Sequence, residues 1–161
     1  MSESRHGRGR VVLGSLAIVA LAGCASMEEP KKMTTAQAIA ERQELMKSQG
    51  ASLRAIQEKV KTGQIQAIAT DAEAIAKSAT KIDALFPPGS LDPNTSRAKP
   101  EIWQKWPEFQ ELSKGLAAKA NALAATARTG NAQATSAAVT EFGKTACGAC
   151  HTPFRGPEIK K

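Results

Sequence analysis

Tyrosine is absent from this 161-residue chain and aromatic residues make up only 4% of it, so a core built from protein alone would have to close on alanine and isoleucine. Only two histidines occur, His6 and His151. The three cysteines, Cys24, Cys147 and Cys150, are too few for the disulfide framework of a small secreted domain. No mostly apolar run exceeds the 12 residues from Val11 to Ala22, short of the roughly 20 that a bilayer-spanning helix needs. No dense Lys/Arg run or aromatic platform is present, which argues against a nucleic-acid partner. Nor does any nucleophile, base and orienting group occur at useful spacing, so an enzyme is not expected.

What is present begins at the C-terminus with Cys147-Gly148-Ala149-Cys150-His151. Two thiols three residues apart on one helical turn reach the two vinyl groups of a porphyrin, and the next imidazole faces its iron. The pattern therefore predicts one covalently attached haem c on Cys147 and Cys150, with His151 as the iron ligand. A zinc ribbon would need a second ligand pair, and the remaining cysteine, Cys24, lies in the leader. A thioredoxin-like dithiol would open a helix after a strand, whereas this one closes a helical pattern.

The N-terminus reads as an export signal. Arg5, Arg8 and Arg10 precede the short apolar run, which ends in Leu21-Ala22-Gly23-Cys24, similar to a bacterial lipoprotein cleavage box. Residues 1–23 are then the signal peptide, Cys24 the lipidated mature N-terminus, residues 24–33 a tether and residues 34–161 the folded domain. Ordinary cleavage near Ala25, with loss of Cys24, is the competing reading. Two or more acyl chains, at about 0.8 kcal/mol per buried CH₂, anchor stably. The expected location is a bacterial cell envelope, facing the periplasm, where c-type haem is attached. After cleavage 19 basic and 14 acidic residues remain, a net of +5, suited to an acidic redox partner protein or to no more than a solvated surface.

Between tether and haem motif the periodicity is helical. Thr34-Thr35-Ala36-Gln37 has capping-box form and opens a helix in which Ile39, Met46, Leu53 and Val60 share one seam and Arg42, Gln49 and Ile56 the next. Gly63 stops it. A second helix is predicted over 64–86, with Ile68, Ile75 and Ile82 in one row, Ile65, Ala72, Ala79 and Phe86 in another, and Asp71, Glu73 and Lys77 outside. The proline-rich residues 87–100 make a crossing loop, and loops of that length often border functional pockets. Ile102 and Trp103 form a short turn, Pro107 takes the first position of a third helix, and Asn131 caps a fourth that runs into the haem motif. Its inward residues are Val139, Phe142 and Ala146. The fold class is all-α, an antiparallel four-helix bundle with helices about 33–42 Å long.

With His6 removed, His151 is the sole histidine, and a second iron ligand must be sought among Met27, Met33 and Met46. Only Met46 lies in the periodic region, on the inward seam. Its alternative role is core filler.

These residues resemble the class II c-type cytochromes, the cytochrome c′ group and its low-spin relatives. Arg42-Gln43 followed by Met46 is similar to that family's first-helix pattern, Leu85-Phe86-Pro87-Pro88-Gly89 to its second-helix ending and Lys99-Pro100-Glu101-Ile102-Trp103 to its loop-to-helix motif. Cys147 to His151 with Arg155 is similar to its C-terminal signature, so the resemblance spans residues 34–156. It implies that Arg42 and Lys99 lie near the haem propionates, Phe86 and Met46 on the distal side and Arg155 beside His151. It also implies pairing into a homodimer through the first two helices. Pro153 departs from the pattern and is expected to end the helix just after His151, which would displace Arg155. Two functions follow: electron transfer through a low-spin His/Met iron, or nitric oxide or carbon monoxide binding at a five-coordinate iron. A structural envelope lipoprotein with no cofactor is the reading that would leave the motif unused.

Overall fold

The structure is a computed structural model that describes residues 32–159. The leader, Cys24 and most of the tether lie outside the described residues. Helix α1 (Thr35–Lys61) opens with the expected capping box: the Thr34 hydroxyl accepts the Gln37 N–H at 3.2 Å, and the Thr34 N–H donates to Gln37 Oε1 at 2.9 Å. Two orphan amides of the first turn are thereby satisfied. Gly63, at φ +73°, turns the chain out of the helix, a conformation in which a Cβ would be strained.

Helix α2 (Ile68–Ala79) is shorter than its periodicity suggested. Residues 64–67 are not helical, with a turn over 65–67, and after Thr80 the chain continues through a single 3₁₀ turn, Asp83–Leu85. Two hydroxyls near the break, Ser78 and Thr80, bond back to the Ile75 and Lys77 carbonyls. Back-bonding of this kind competes with continued helix. The tighter turn aims Asp83 at Ser113 and Gln110, from which it accepts at 2.5 Å and 3.2 Å. The expected apolar rows survive the change, because Ile65, Ile68, Ala72, Ile75, Ala79, Ile82 and Phe86 are all buried. Asp71, expected outside, is half-buried in an ion pair with Lys59.

After the crossing loop come the one-turn helix α3 (Glu101–Gln104), α4 (Trp106–Arg128) and α5 (Ala132–Phe142). Helix α4 begins one residue before Pro107. Asn131 caps α5 by accepting the Ala134 N–H at 2.9 Å. Helix α5 then passes through a π turn, Gly143–Cys147, into α6 (Gly148–Phe154), so these segments form the fourth column of an antiparallel four-helix bundle. Helix α2 packs mainly on α4 and α1, and α5 on α4. Buried alanines at 72, 76, 120, 124 and 127 allow α2 and α4 a close approach.

The few aromatics are concentrated. Five of the six meet in one cluster, with Phe109 edge-on to Phe86 (4.9 Å) and Phe154 (5.5 Å) and stacked on Trp106 (5.5 Å), while Trp103 leans on Phe86. The Trp103 indole N–H is shared between the Phe86 and Pro87 carbonyls, both at 3.1 Å, which fixes the start of the crossing loop.

Candidate haem site

A cavity of about 620 Å³ separates α1 from α6, and both helices line it. That volume lies inside the roughly 300–1,000 Å³ usual for cofactor sites. On the α6 side stand Cys147, Cys150 and His151; on the α1 side stand Arg42, Met46 and Leu53; Phe86 and Phe109 close one end.

The π turn presents the motif to this cavity. Phe142, Ala146, Cys150 and Phe154 recur every fourth residue, and in a pure α-helix each such step would drift by about 40° around the axis. The Gly148 N–H instead bonds to the Gly143 carbonyl, five residues back, and the wider turn absorbs the excess rotation. Phe142, Ala146 and Phe154 are consequently all buried and both cysteines face the cavity. Pro153 does not end the helix after His151. Helix α6 continues to Phe154, and the Arg155 N–H bonds to the His151 carbonyl at 3.1 Å. Pro153, the sixth residue of α6, cannot donate to the Ala149 carbonyl, and the helix ends one residue later, at Phe154.

Beyond α6 the chain is strapped to the crossing loop. Ala98 and Arg155 form an antiparallel bridge, the Gly156 N–H donates to the Arg97 carbonyl at 2.7 Å and the Lys99 N–H to the Phe154 carbonyl at 3.1 Å. This strap places Arg97 and Arg155 on the cavity wall. Lys99, expected near the cofactor's carboxylates, is not on that wall: its ammonium donates to the Pro153 carbonyl at 2.8 Å and lies 3.5 Å from Glu101.

Arg42 is not a surface charge, and among the described residues it pairs with no carboxylate. It is 3% exposed and donates to Ser90 Oγ (3.1 Å), the Ser90 carbonyl (2.9 Å) and Ser96 Oγ (2.7 Å), with its guanidinium 4.7 Å from the Phe86 ring centre. Burial lowers its pKa from the ordinary guanidinium value. Arg42, Lys47, Arg54, Arg97 and Arg155 all line the cavity, and no carboxylate does.

Burial pushes both thiols up, Cys150 to about 11, with negative charge at Asp83 and Cys147 adding to its shift. His151 reaches solvent at the cavity mouth, yet the surrounding protein strips enough water to lower its pKa, and the charges of Arg155 and Arg97 lower it further. A neutral imidazole is the form that binds a metal. Among the described residues no three His, Cys, Asp or Glu side chains converge on a point, so this imidazole is not part of a zinc-type cluster.

Residues 37–155 match the family model described as cytochrome C′. The chain belongs to the cytochrome c′ family. It is 33% identical over 117 residues to the cytochrome c′ of Pararhodospirillum photometricum, covering 71% of this chain and 92% of that one. With the cytochrome c′ of Allochromatium vinosum it shares 35% over 96 residues, 57% of this chain and 60% of that one. The crystal structure of cytochrome c′ from Thermochromatium tepidum superposes with a TM-score of 0.66 at 30% identity, over 78% of this chain and 99% of that one. A cytochrome c′ with ligand-controlled dimer dissociation superposes with a TM-score of 0.69 at 27% identity, over 77% and 98%.

The cofactor of this cytochrome c′ is one covalent haem c. The residues present fit such a group: an apolar slot, two thiols one helical turn apart, one imidazole, and an excess of cations facing a cofactor that carries two carboxylates. The periodicity gave no sign of Arg97, Ser90 or Ser96, whose roles depend on the path of the crossing loop. The sequence Arg97-Ala98-Lys99-Pro100 was the available hint, a pair of cations entering a loop-to-helix junction.

Proposed function

We propose that this cytochrome c′ binds a small neutral gas, nitric oxide or carbon monoxide, at a five-coordinate haem c. Cys147 and Cys150 form the thioether bonds and His151 is the iron ligand. Arg42, Arg97 and Arg155 would pair with the haem carboxylates and Phe86 would pack against the haem, while Lys99 acts at one remove by holding the strap. When bound, haem supplies an iron that takes up a diatomic ligand or exchanges an electron. The chain's own contribution would be to hold one imidazole toward the group, shield it from bulk water and offer no imidazole or carboxylate from α1.

One observation carries this reading. The α1 wall offers the cavity Met46, Gly50 and Leu53 beside Arg42, Gln43, Lys47, Gln49 and Arg54, with no imidazole or carboxylate among them. Family membership supports gas binding better than the His/Met electron carrier that Met46 first suggests. The second reading keeps one specific support, since Met46 lines the cavity, is half-buried and has a flexible thioether. In that case the partner is an acidic redox protein. The absorption spectrum separates the two. A five-coordinate site gives a high-spin spectrum, takes up CO when reduced and changes little in Met46→Ala. A far-red methionine–iron band that disappears in Met46→Ala would overturn gas binding in favour of electron transfer.

We further propose that residues 1–23 are removed, that Cys24 is lipidated and that the domain faces the periplasm on its tether. The support is the Leu21-Ala22-Gly23-Cys24 box together with the need to attach haem outside the cytoplasm. No helix among the described residues is long and apolar enough to cross a membrane, so an anchor would have to come from elsewhere in the chain. Mass spectrometry of the envelope-extracted protein, looking for acyl chains on Cys24, tests this. Pairing into a homodimer is supported by a 27%-identical cytochrome c′ with ligand-controlled dimer dissociation, and sedimentation with and without CO is its test.

A further inference from the structure

Gly50 occupies the middle of α1, where glycine is the least favourable residue after proline. The backbone gives no reason for it, because the helix there is regular. Crowding gives none either. A Cβ at this position would meet only Arg54 Nη1, at 3.6 Å, which is ordinary contact. What distinguishes Gly50 is its place on the cavity wall, between Met46 and Leu53. Side chains on a helix lean toward its N-terminus, so any larger residue at 50 would lie over Met46, one turn earlier. Its bare α-carbon leaves a notch beside that methionine, and the solvent-exposed Arg54 guanidinium lies over the notch from outside.

We propose that the notch over Gly50, roofed by Arg54, is the entrance through which a small neutral ligand reaches the cavity, and that Gly50 sets the size of ligand admitted. This rests on the gas-binding reading. An alanine would narrow the passage by one methyl group, and a leucine would fill it and cover Met46. The roof is a long, flexible side chain at the surface, so it can swing aside without any change in the helix.

The test is CO association to the reduced holoprotein, measured by flash photolysis and repeated with ethyl isocyanide as the larger probe. Gly50→Leu is expected to slow CO at least tenfold and the isocyanide more than CO. Gly50→Ala should slow CO two- to threefold, Arg54→Ala should speed it at least threefold, and Ala51→Leu, on the exposed face of α1, should leave it unchanged. Xenon-pressurised crystals of the wild-type holoprotein should hold xenon beside Gly50, and those of Gly50→Ala should hold less. If Gly50→Leu fails to load haem, the alanine and Arg54 variants and the xenon site still decide the matter. Wild-type CO uptake with unchanged rates in the Gly50 and Arg54 variants would overturn the entrance alone. A wild-type protein that takes up no CO would overturn the functional reading and the entrance with it.

Discussion

Arg42 ties α1 to the crossing loop, and its removal should be felt across the whole bundle. Its guanidinium makes three hydrogen bonds to the buried residues Ser90 and Ser96 and lies over Phe86. At roughly 1.5 kcal/mol for each hydrogen bond from a charged donor, the three contribute about 4.5 kcal/mol. The contact with the ring adds about 1 kcal/mol. Against this, Arg42→Met no longer has to bury a charge, a relief of some kcal/mol, but it strands the Ser90 carbonyl and hydroxyl and leaves Ser96 Oγ with the Ala98 N–H alone. The expected net loss is about 3 kcal/mol, or roughly 10 °C in Tm for a domain of this size. Arg42→Lys keeps the charge but cannot fork to three acceptors, so it should lose about 2 kcal/mol. Guanidinium unfolding of the holoprotein, followed by helical circular dichroism, measures both. An Arg42→Met protein within about 1 kcal/mol of wild type, at unchanged m-value, would refute the view that this side chain fastens the loop.

Trp103→Phe keeps the aromatic contact with Phe86 but removes the donor to the Phe86 carbonyl, while the Pro87 carbonyl keeps the Ser90 N–H, and should cost about 1–2 kcal/mol by the same unfolding measurement. Deleting Lys144 from the π turn should restore a plain α-helix with Phe142, Ala146, Cys150 and Phe154 still on one face, so haem attachment, read by mass, should persist. Deleting Ala137 from α5 instead turns everything downstream by about 100° and should abolish attachment. In the holoprotein, Met46→Ala should leave the high-spin spectrum in place and raise CO affinity by removing a side chain from the cavity wall.

The bundle was legible because its signal is periodic. The isoleucine rows of α2, the Thr34 capping box and the Asn131 cap each follow from local sequence, and each is where it should be. The errors fall where tertiary contacts override local pattern. Apolar spacing runs without a break from Ile65 to Phe86, and nothing in it reports that Asp83 must turn toward Ser113, so the end of α2 was overextended. Pro153 looked like an immediate terminator because spacing alone does not report the contacts that carry α6 to Phe154, the Arg155 N–H on the His151 carbonyl and the bridge from Arg155 to Ala98. The cavity's cations divide in the same way. Arg42 was legible from its seam, whereas Arg97 and the displacement of Lys99 depend on a strap between residues 97–99 and 154–156 that pairs chain segments more than fifty residues apart.

The thin core and the attachment chemistry together fix the order in which this protein is made. An empty apolar cavity costs up to about 24 cal/mol per Å³, so the 620 Å³ between α1 and α6 would cost up to about 15 kcal/mol if it stayed dry, as much as a domain's whole stability. Water entering through the open mouth lowers that figure, but even a third of it, about 5 kcal/mol, matches the stability of a marginal domain. The haem-free chain should therefore keep helix while losing fixed packing. Once the cavity has closed, the Cys150 thiol, pushed to about 11, is almost entirely protonated at pH 7, and both thiols are half-buried. Thiol chemistry and access are thus both poorest once the helices have packed, so attachment is expected before the cavity closes. The haem-free chain should bind a hydrophobic dye, show helical far-ultraviolet dichroism without near-ultraviolet structure, and alkylate Cys147 and Cys150 at pH 7 at the rate of free cysteine. A haem-free chain that melts cooperatively near the holoprotein's Tm, with both thiols protected, would show that the helices close on their own.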